Sequence, residues 1–496
     1  MTGAAILSQF QAGWSKFGVF LKRKAQPQPS LHQFWLRPEL LPGYARDTPS
    51  VLRTLELLGP LDWDHFPERD LQRRWRQPAV SYAAFSAAML VKLNEGLKTI
   101  GSLRRHVVEH PGFIPLLGFR TARSLSYSWG FNPDASLPTQ RHLTRMLREM
   151  PNHTLQFLLA DSVRLIRKEL LLHNITLGEC VSLDTKHIIA WVKENNPKAY
   201  VEDRFDKTKQ PAGDLDCKLG CKRQHNKRKK QSVVLPLPAT PTTNPQSAEF
   251  VKVGEYYWGY GSGVVVTKVP GWGEIVLAEL TQTFDHADLS YFFPLMHKTE
   301  QVLGFKPRIG TFDAAFDAWY VFDYFYRPDD PDAFAAVPFS EKGGYKAKGR
   351  LFSPDGLPLC QAELPMPLHF TYRDTTVSLI EHERGKYVCP LRFPAKTAEA
   401  CPVNHKNWPK KGCTAMMPTS MGARLRYILD RDSQAYKDAY KQRTAVERTN
   451  SQAKALGIER PILRNGAAIA NLNTLIYILI NLRLLQRIRN RQPEIE

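Results

Sequence analysis

Residues 438–454 read D-A-Y-K-Q-R-T-A-V-E-R-T-N-S-Q-A-K, and within them Tyr440, Arg443, Glu447 and Lys454 stand at the spacing Y-x2-R-x3-E-x6-K. The composition of residues 433–456 predicts one continuous helix. At 100° per residue the four side chains would then fall within an arc of about 60°. Such a face is polar and charged, so it is not a core stripe. A glutamate held among an aromatic ring, a guanidinium and an ammonium is a group that chemistry would use. The bland alternative is an intrahelical pair of Glu447 with Arg443 or Arg448, worth a few tenths of a kcal/mol.

Upstream of this helix the texture is β-type. Apolar and β-branched runs predict strands over 180–192, 256–269, with Val264, Val265 and Val266 in succession, and 274–281. A helix is expected over 287–303, a strand over 307–312 and an aromatic helix over 316–326. The first three strands suggest a meander. Asp184 lies inside the first strand, and a lone aspartate in an apolar strand is costly unless it is paired or liganded. Asp313 ends the fourth strand. Asp317 competes with it, but by position it reads as a first-turn acid of the following helix.

The chain is 496 residues long, with 43% apolar and 11% aromatic residues, so most of it should fold, in about three modules. We expect an N-terminal extension over 1–50 and a helical module over 51–175. In the latter, the helix over 82–95 is rich in Ala, Leu and Met, and Pro138 would sit in the first turn of a helix starting near Thr139. Arg and His on 103–110 and 140–148 read first as solvated faces, with DNA-backbone contact as the functional alternative. A mixed core begins over 176–330, with 195–247 as a loop that carries the basic run 222–230. A β-rich, cysteine-containing insertion spans 331–431, and C-terminal helices over 432–496 complete the core. The formal charge of +20 and pI near 9.6 suit a partner rich in phosphate.

Residues 465–482 carry no charge, yet Asn465, Asn471, Asn473, Thr474 and Asn481 favour a buried helix over a membrane span. Residues 1–24 hold no compact apolar block of the kind that marks an export signal. Seven cysteines, an odd count, argue against a disulfide framework and for the cytoplasm. Cys360, Cys389, Cys401 and Cys413 fall together in the insertion as candidate zinc ligands. Buried free cysteines are the plainer reading. Cys217, Cys221 and His225 would share a face if helical, although Gly220 and the basic surroundings favour a loop.

Together, the helix motif, the two strand aspartates in order, the insertion before the glutamate and the helical N-terminal region resemble the DDE transposases of bacterial insertion sequences, in the group marked by this Tyr, Arg, Glu, Lys pattern. The resemblance spans roughly residues 51–488. It implies a mixed α/β fold with a ribonuclease H-like catalytic core, whose strand–strand–strand–helix–strand–helix order the predicted elements follow. It also implies that Asp184, Asp313 and Glu447 are catalytic acids that hold Mg²⁺ or Mn²⁺, two ions in all. Tyr440, Arg443 and Lys454 would contact DNA, both transposon ends and target, in a homodimer at the bacterial nucleoid without membrane involvement. The competing readings are a ribonuclease H-like nuclease that cuts without joining and a non-catalytic DNA-binding protein derived from a transposase.

Overall fold

A computed structural model describes residues 29–71, 79–223, 254–340, 351–375 and 380–490. The basic run beyond Arg223, His225, residues 1–24 and most of 375–380, a stretch of β-type composition within the insertion, lie outside them. The chain divides into two compact units, Met1–Leu165 and Ile166–Glu496.

The first unit is helical, as expected, but it starts earlier than residue 51. Helix α1 (Leu31–Leu36) buries Leu31 and Phe34 and packs with α2 (Pro49–Leu58). Thus the part of the expected extension that is described belongs to this unit. Helix α3 (Tyr82–Asn94) starts at Ser81, whose hydroxyl accepts from Ala84 N, and nearly every residue from Ala84 to Leu93 is buried. Its apolar surface runs all round because it is enclosed. Helix α4 (Ile100–Glu109) opens with a capping box of Thr99 and Ser102, and α5 (Gln140–Glu149) with Thr139, which accepts from His142 N. Pro138 therefore precedes the cap rather than sitting in the first turn. Arg104 is used inside this unit, donating to Asp134 Oδ1 at 2.5 Å and Pro138 O at 3.1 Å. The unit boundary falls within α6 (Asn152–Leu171).

The second unit is built on a mixed sheet. Strand β1 (Cys180–Ile189) ends three residues earlier than expected, and β2 (Lys218–Arg223) lies where the sequence reads as loop. Strands β3 (Gly254–Val269) and β4 (Gly273–Thr283) follow as an antiparallel hairpin. After a one-turn 3-10 helix over Asp288–Tyr291 come helix α7 (Phe292–Leu303), β5 (Ile309–Thr311), α8 (Trp319–Phe325) and β6 (Phe334–Ala336). The strand order is β4-β3-β1-β5-β6, with β2 also paired to β3. Strands β4, β3 and β1 are antiparallel neighbours, whereas β5 and β6 run parallel to β1.

The insertion holds an antiparallel sheet of β7 (Leu368–Asp374), β8 (His382–Val388) and β9 (Thr414–Pro418), with β8 central. Its small core is Met366, Tyr387, Ala415 and Met417. Helices α9 (Met421–Ile428), α10 (Gln434–Lys441), α11 (Thr444–Ala455) and α12 (Gly466–Asn490) follow. The helix expected over 433–456 is thus interrupted at Gln442 and Arg443, and the four motif residues do not share one continuous helix. Both interrupting residues keep right-handed backbone, and Ala445 N and Val446 N reach back only three residues, to Gln442 O and Arg443 O, so the break is a tightened turn.

Side chains alternate across a strand, which assigns helices to faces. On one face of the sheet, Ser182 and Ser262 meet Gln442 O of the α10–α11 junction and Tyr477 of α12. On the other, Gly261 and Gly263 lie against Tyr291 and Leu295 of the α7 region. A Cβ at Gly263 would come 2.4 Å from the Tyr291 ring. Helix α12, whose charges are confined to Arg483, Arg487 and Arg489 near its C-terminal end, is long and apolar enough to cross a membrane, but it is mostly buried within this unit. Its Asn471, Asn473, Thr474 and Asn481 are all fully buried. Asn481 explains why a core helix carries such residues. It accepts from Val276 N and donates to Val276 O, each at 2.9 Å, on β4, which among the described residues has no strand on its outer side. The amide completes the hydrogen bonding of a covered sheet edge. Asn481→Ala should therefore cost about 2–4 kcal/mol in urea unfolding, because it strands a buried N–H and C=O. A change under about 0.5 kcal/mol would contradict this role.

Candidate functional site

The site is set by strand register. Strand β1 pairs in parallel with β5 through Ser182 and Thr311, whose hydroxyls hydrogen-bond at 2.6 Å. Asp184 and Asp313 each lie two residues beyond that pair. They therefore sit at one level on neighbouring chains, which in a sheet run about 4.8 Å apart. Asp313 also starts the next 3-10 turn by accepting from Ala315 N at 2.8 Å. Asp317, its competitor by sequence, is not a first-turn acid of α8. Its side chain is fully buried in a two-pronged pair with Arg426 of α9, at 2.6 and 2.7 Å, and it also accepts from Ser340 N. That pairing fastens α9 to the loop before α8 and leaves Asp313 as the acid beside Asp184.

Helix α11 lies over this level. It presents Ala445, Val446, Thr449 and Ala453 to the sheet, and Asn450 of the same helix donates to Asp184 Oδ2 at 3.1 Å. Glu447 stands one turn before Asn450, half exposed, and takes Arg443 Nη1 at 2.6 Å. The i,i+4 pair anticipated as the bland reading is therefore present with Arg443, while Arg448 pairs with Glu274. Tyr440, at the end of α10, stacks on Tyr436 with ring planes 8° apart and packs into a cluster with Ala336 and Ala439. Lys454, two turns beyond Glu447, pairs with Glu459 at 3.0 Å.

The electrostatics tie these groups together. Burial pushes the Asp184 carboxyl up to about 6; Arg443 opposes this, Asp313 adds to it, the Thr185 N–H opposes it and Asp288 adds to it. Asp288 is a neighbour that the sequence did not single out, and it accepts from the Thr185 hydroxyl at 2.6 Å. Burial works against the charge of Arg443, but Asp184, Tyr440 and Glu447 outweigh it and hold the guanidinium above its ordinary range. Burial likewise raises the Tyr440 hydroxyl, with Arg443 opposing and Asp313 and Glu447 adding.

Among the described residues, no three His, Cys, Asp or Glu side chains stand close enough to share one ion. The donor chemistry nevertheless suits a hard divalent cation, because Asp184 and Asp313 are carboxylates near enough that one raises the pKa of the other. Two buried polar atoms also lack partners here: Asn450 Oδ1, an acceptor, and Arg443 Nε, a donor. An ion or its water would satisfy the first and a phosphate oxygen the second.

In the insertion, Cys389 and Cys360 lie beside Cys413. Burial, those neighbours and a hydrogen bond with Cys389 push the Cys413 thiol up to about 12. Cys401 accepts from His405 N instead. Cys217 is buried and Cys221 exposed at either end of an extended segment, which removes the helical face proposed for them. The chain matches no protein-family model and no curated protein.

Two outcomes follow. Breaking the Asp317 pair with Asp317→Ala should cost about 3–5 kcal/mol of stability, since it strands a largely buried guanidinium. Asp313→Ala should cost much less in the same unfolding assay; the reverse ranking would mean that the two acids have exchanged roles. The second outcome concerns pH. Because the folded Asp184 binds its proton more tightly than the unfolded chain does, its ionisation costs nothing below about pH 4, and stability falls as pH rises from 4 to 6. In chelator, Asp184→Asn should therefore gain about 1–3 kcal/mol on wild type between pH 4 and pH 7. A pH-independent difference would contradict the raised carboxyl.

Proposed function

We propose that this chain is a DDE-type transposase, which binds the ends of a mobile DNA element and catalyses strand cleavage and strand transfer. The observation that carries the reading is the pair of Asp184, on β1, and Asp313, two residues past the end of the parallel strand β5, beneath the helix that Arg443 opens and that bears Glu447 and Asn450. The strand order supports it too. An antiparallel trio followed by two strands parallel to its first member, with helices on both faces, is the arrangement expected of a ribonuclease H-like core.

Asp184, Asp313 and Glu447 would hold Mg²⁺ or Mn²⁺, which supplies activation of the attacking oxygen and stabilisation of the leaving one. For Glu447 to join them, its carboxylate must leave Arg443. That exchange would free a guanidinium to take a phosphate oxygen, so one movement would serve both metal and DNA. Asn450 would keep Asp184 oriented. Tyr440 and Lys454 would contact the strand on either side. In hydrolysis, a water oxygen bonds to phosphorus as the 3′ oxygen departs. In transfer, that 3′ hydroxyl attacks a target phosphate and a target 3′ oxygen departs. The same reading implies a homodimer on paired ends and action in the cytoplasm, at the nucleoid. Cys360, Cys389 and Cys413, with Cys401, would hold a structural zinc if the thiols close around it.

Alanine at Asp184, Asp313 or Glu447 should reduce metal-dependent cleavage of terminal DNA to background while DNA binding persists. Arg443→Ala should weaken the DNA complex by about 1.5–3 kcal/mol, partly rescued by more DNA. Full cleavage by all three acid variants would refute the assignment. Zinc analysis of protein purified without chelator should find about one ion per chain, lost on Cys389→Ser; metal-free protein would remove the zinc proposal.

A further inference from the structure

Strand β1 carries more than Asp184. Lys186 follows it by two positions, on the same face of the sheet. Its Nζ lies 3.5 Å from Glu459 Oε2, and Lys454 Nζ lies 3.0 Å from that same oxygen. One carboxylate therefore gathers two ammoniums beside the acids and leaves a positive surplus. Lys454 and Lys186 in turn hold Glu459 below the usual carboxylate range, although burial opposes them. The backbone of Glu459 is fixed as well, since its carbonyl accepts from Ile189 N at 2.9 Å.

Just past the end of β1, Trp191 is 51% exposed, and the Arg464 guanidinium lies 4.6 Å over its ring. The loop that carries Glu459 and Arg464 is pinned at its far end, where Asn465 Nδ2 and Gly466 N both donate to Asp216 Oδ2 at 2.8 Å. Charge and aromatic surface thus continue in one direction from Asp184, on a backbone tied at both ends.

We infer that Lys186, Lys454, Trp191 and Arg464 form a track for a single strand of nucleic acid leaving the carboxylate site. The two lysines contact phosphate, and Trp191, backed by Arg464, stacks an unpaired base. Glu459 holds the lysines in place and moderates their grip. Single-stranded rather than paired nucleic acid fits, because stacking on Trp191 needs an open base face. The inference rests on the DNA-processing reading above and extends it from Lys454 of the motif to Lys186, Trp191 and Arg464, which lie outside it.

The test uses the full chain and a fluorescently labelled oligothymidylate, titrated by anisotropy at several salt concentrations. Trp191→Ala should weaken binding about tenfold, with Trp191→Phe near wild type. Lys186→Ala should flatten the slope of log K against log salt by about 0.7, and Glu459→Gln should bind more tightly than wild type. Lys168→Ala, an exposed lysine on α6, is the control for general charge loss. If wild type binds but Trp191→Ala and Lys186→Ala behave like Lys168→Ala, the track is wrong and the transposase reading stands. If wild type binds neither the oligothymidylate nor a duplex, both fall.

Discussion

The parallel pairing of β1 with β5 is the constraint on which the site depends. It aligns Ser182 with Thr311, and two residues later it places Asp184 level with Asp313. A shift of one residue in either strand would turn its aspartate to the opposite face. The hydroxyl bond between Ser182 and Thr311, fully enclosed, adds a directional preference for this register. An acid enclosed under a helix is costly: burial first, and the neighbouring Asp313 after it, push the Asp184 carboxyl up to about 6.

The rest of the second unit supports that unfavourable arrangement. Helix α12 closes one face of the sheet with buried Asn and Thr side chains that complete hydrogen bonds on β4, so the scaffold does not rely on apolar contact alone. On the opposite face, glycines at 261 and 263 let Tyr291 lie against β3, with its hydroxyl donating to Gly261 O at 3.0 Å. The buried pair of Asp317 and Arg426 fastens α9, the helix that leads from the insertion back to the motif. Rigid surroundings of this kind hold polar groups at a spacing they would not choose.

Much of this was legible in the sequence. The Val264–Val266 run and the apolar stretch around Asp184 marked two of the strands, and the expected meander of the first three is present as β1, β3 and β4. The buried asparagines correctly argued that the apolar C-terminal helix belongs to the protein interior. What escaped was set by contacts distant in sequence. Local composition reads the segment from 433 to 456 as one helix, yet the helix is interrupted at Gln442 and Arg443, where Ser182 of β1 meets Gln442 O. Strand β2 forms in a stretch of low apolar content because β3 offers it an edge. Asp317 looked like a first-turn acid because its partner, Arg426, is 109 residues away. Asn450, Asp288 and Lys186 carry no local signal. Only the position of Asn450 one turn after Glu447, and of Lys186 two residues after Asp184, would have marked them.

The central claim is that these carboxylates cut and rejoin DNA, and joining is its most demanding part. The direct measurement supplies purified full-length protein with Mg²⁺ or Mn²⁺, a pre-cut duplex that ends in the 3′ hydroxyl of the element's own terminus, and a supercoiled target plasmid. The account predicts covalent joining of the labelled end to the plasmid, lost when Asp184, Asp313 or Glu447 is replaced. Nicking of the plasmid without joining, or joining that survives those replacements, would contradict it.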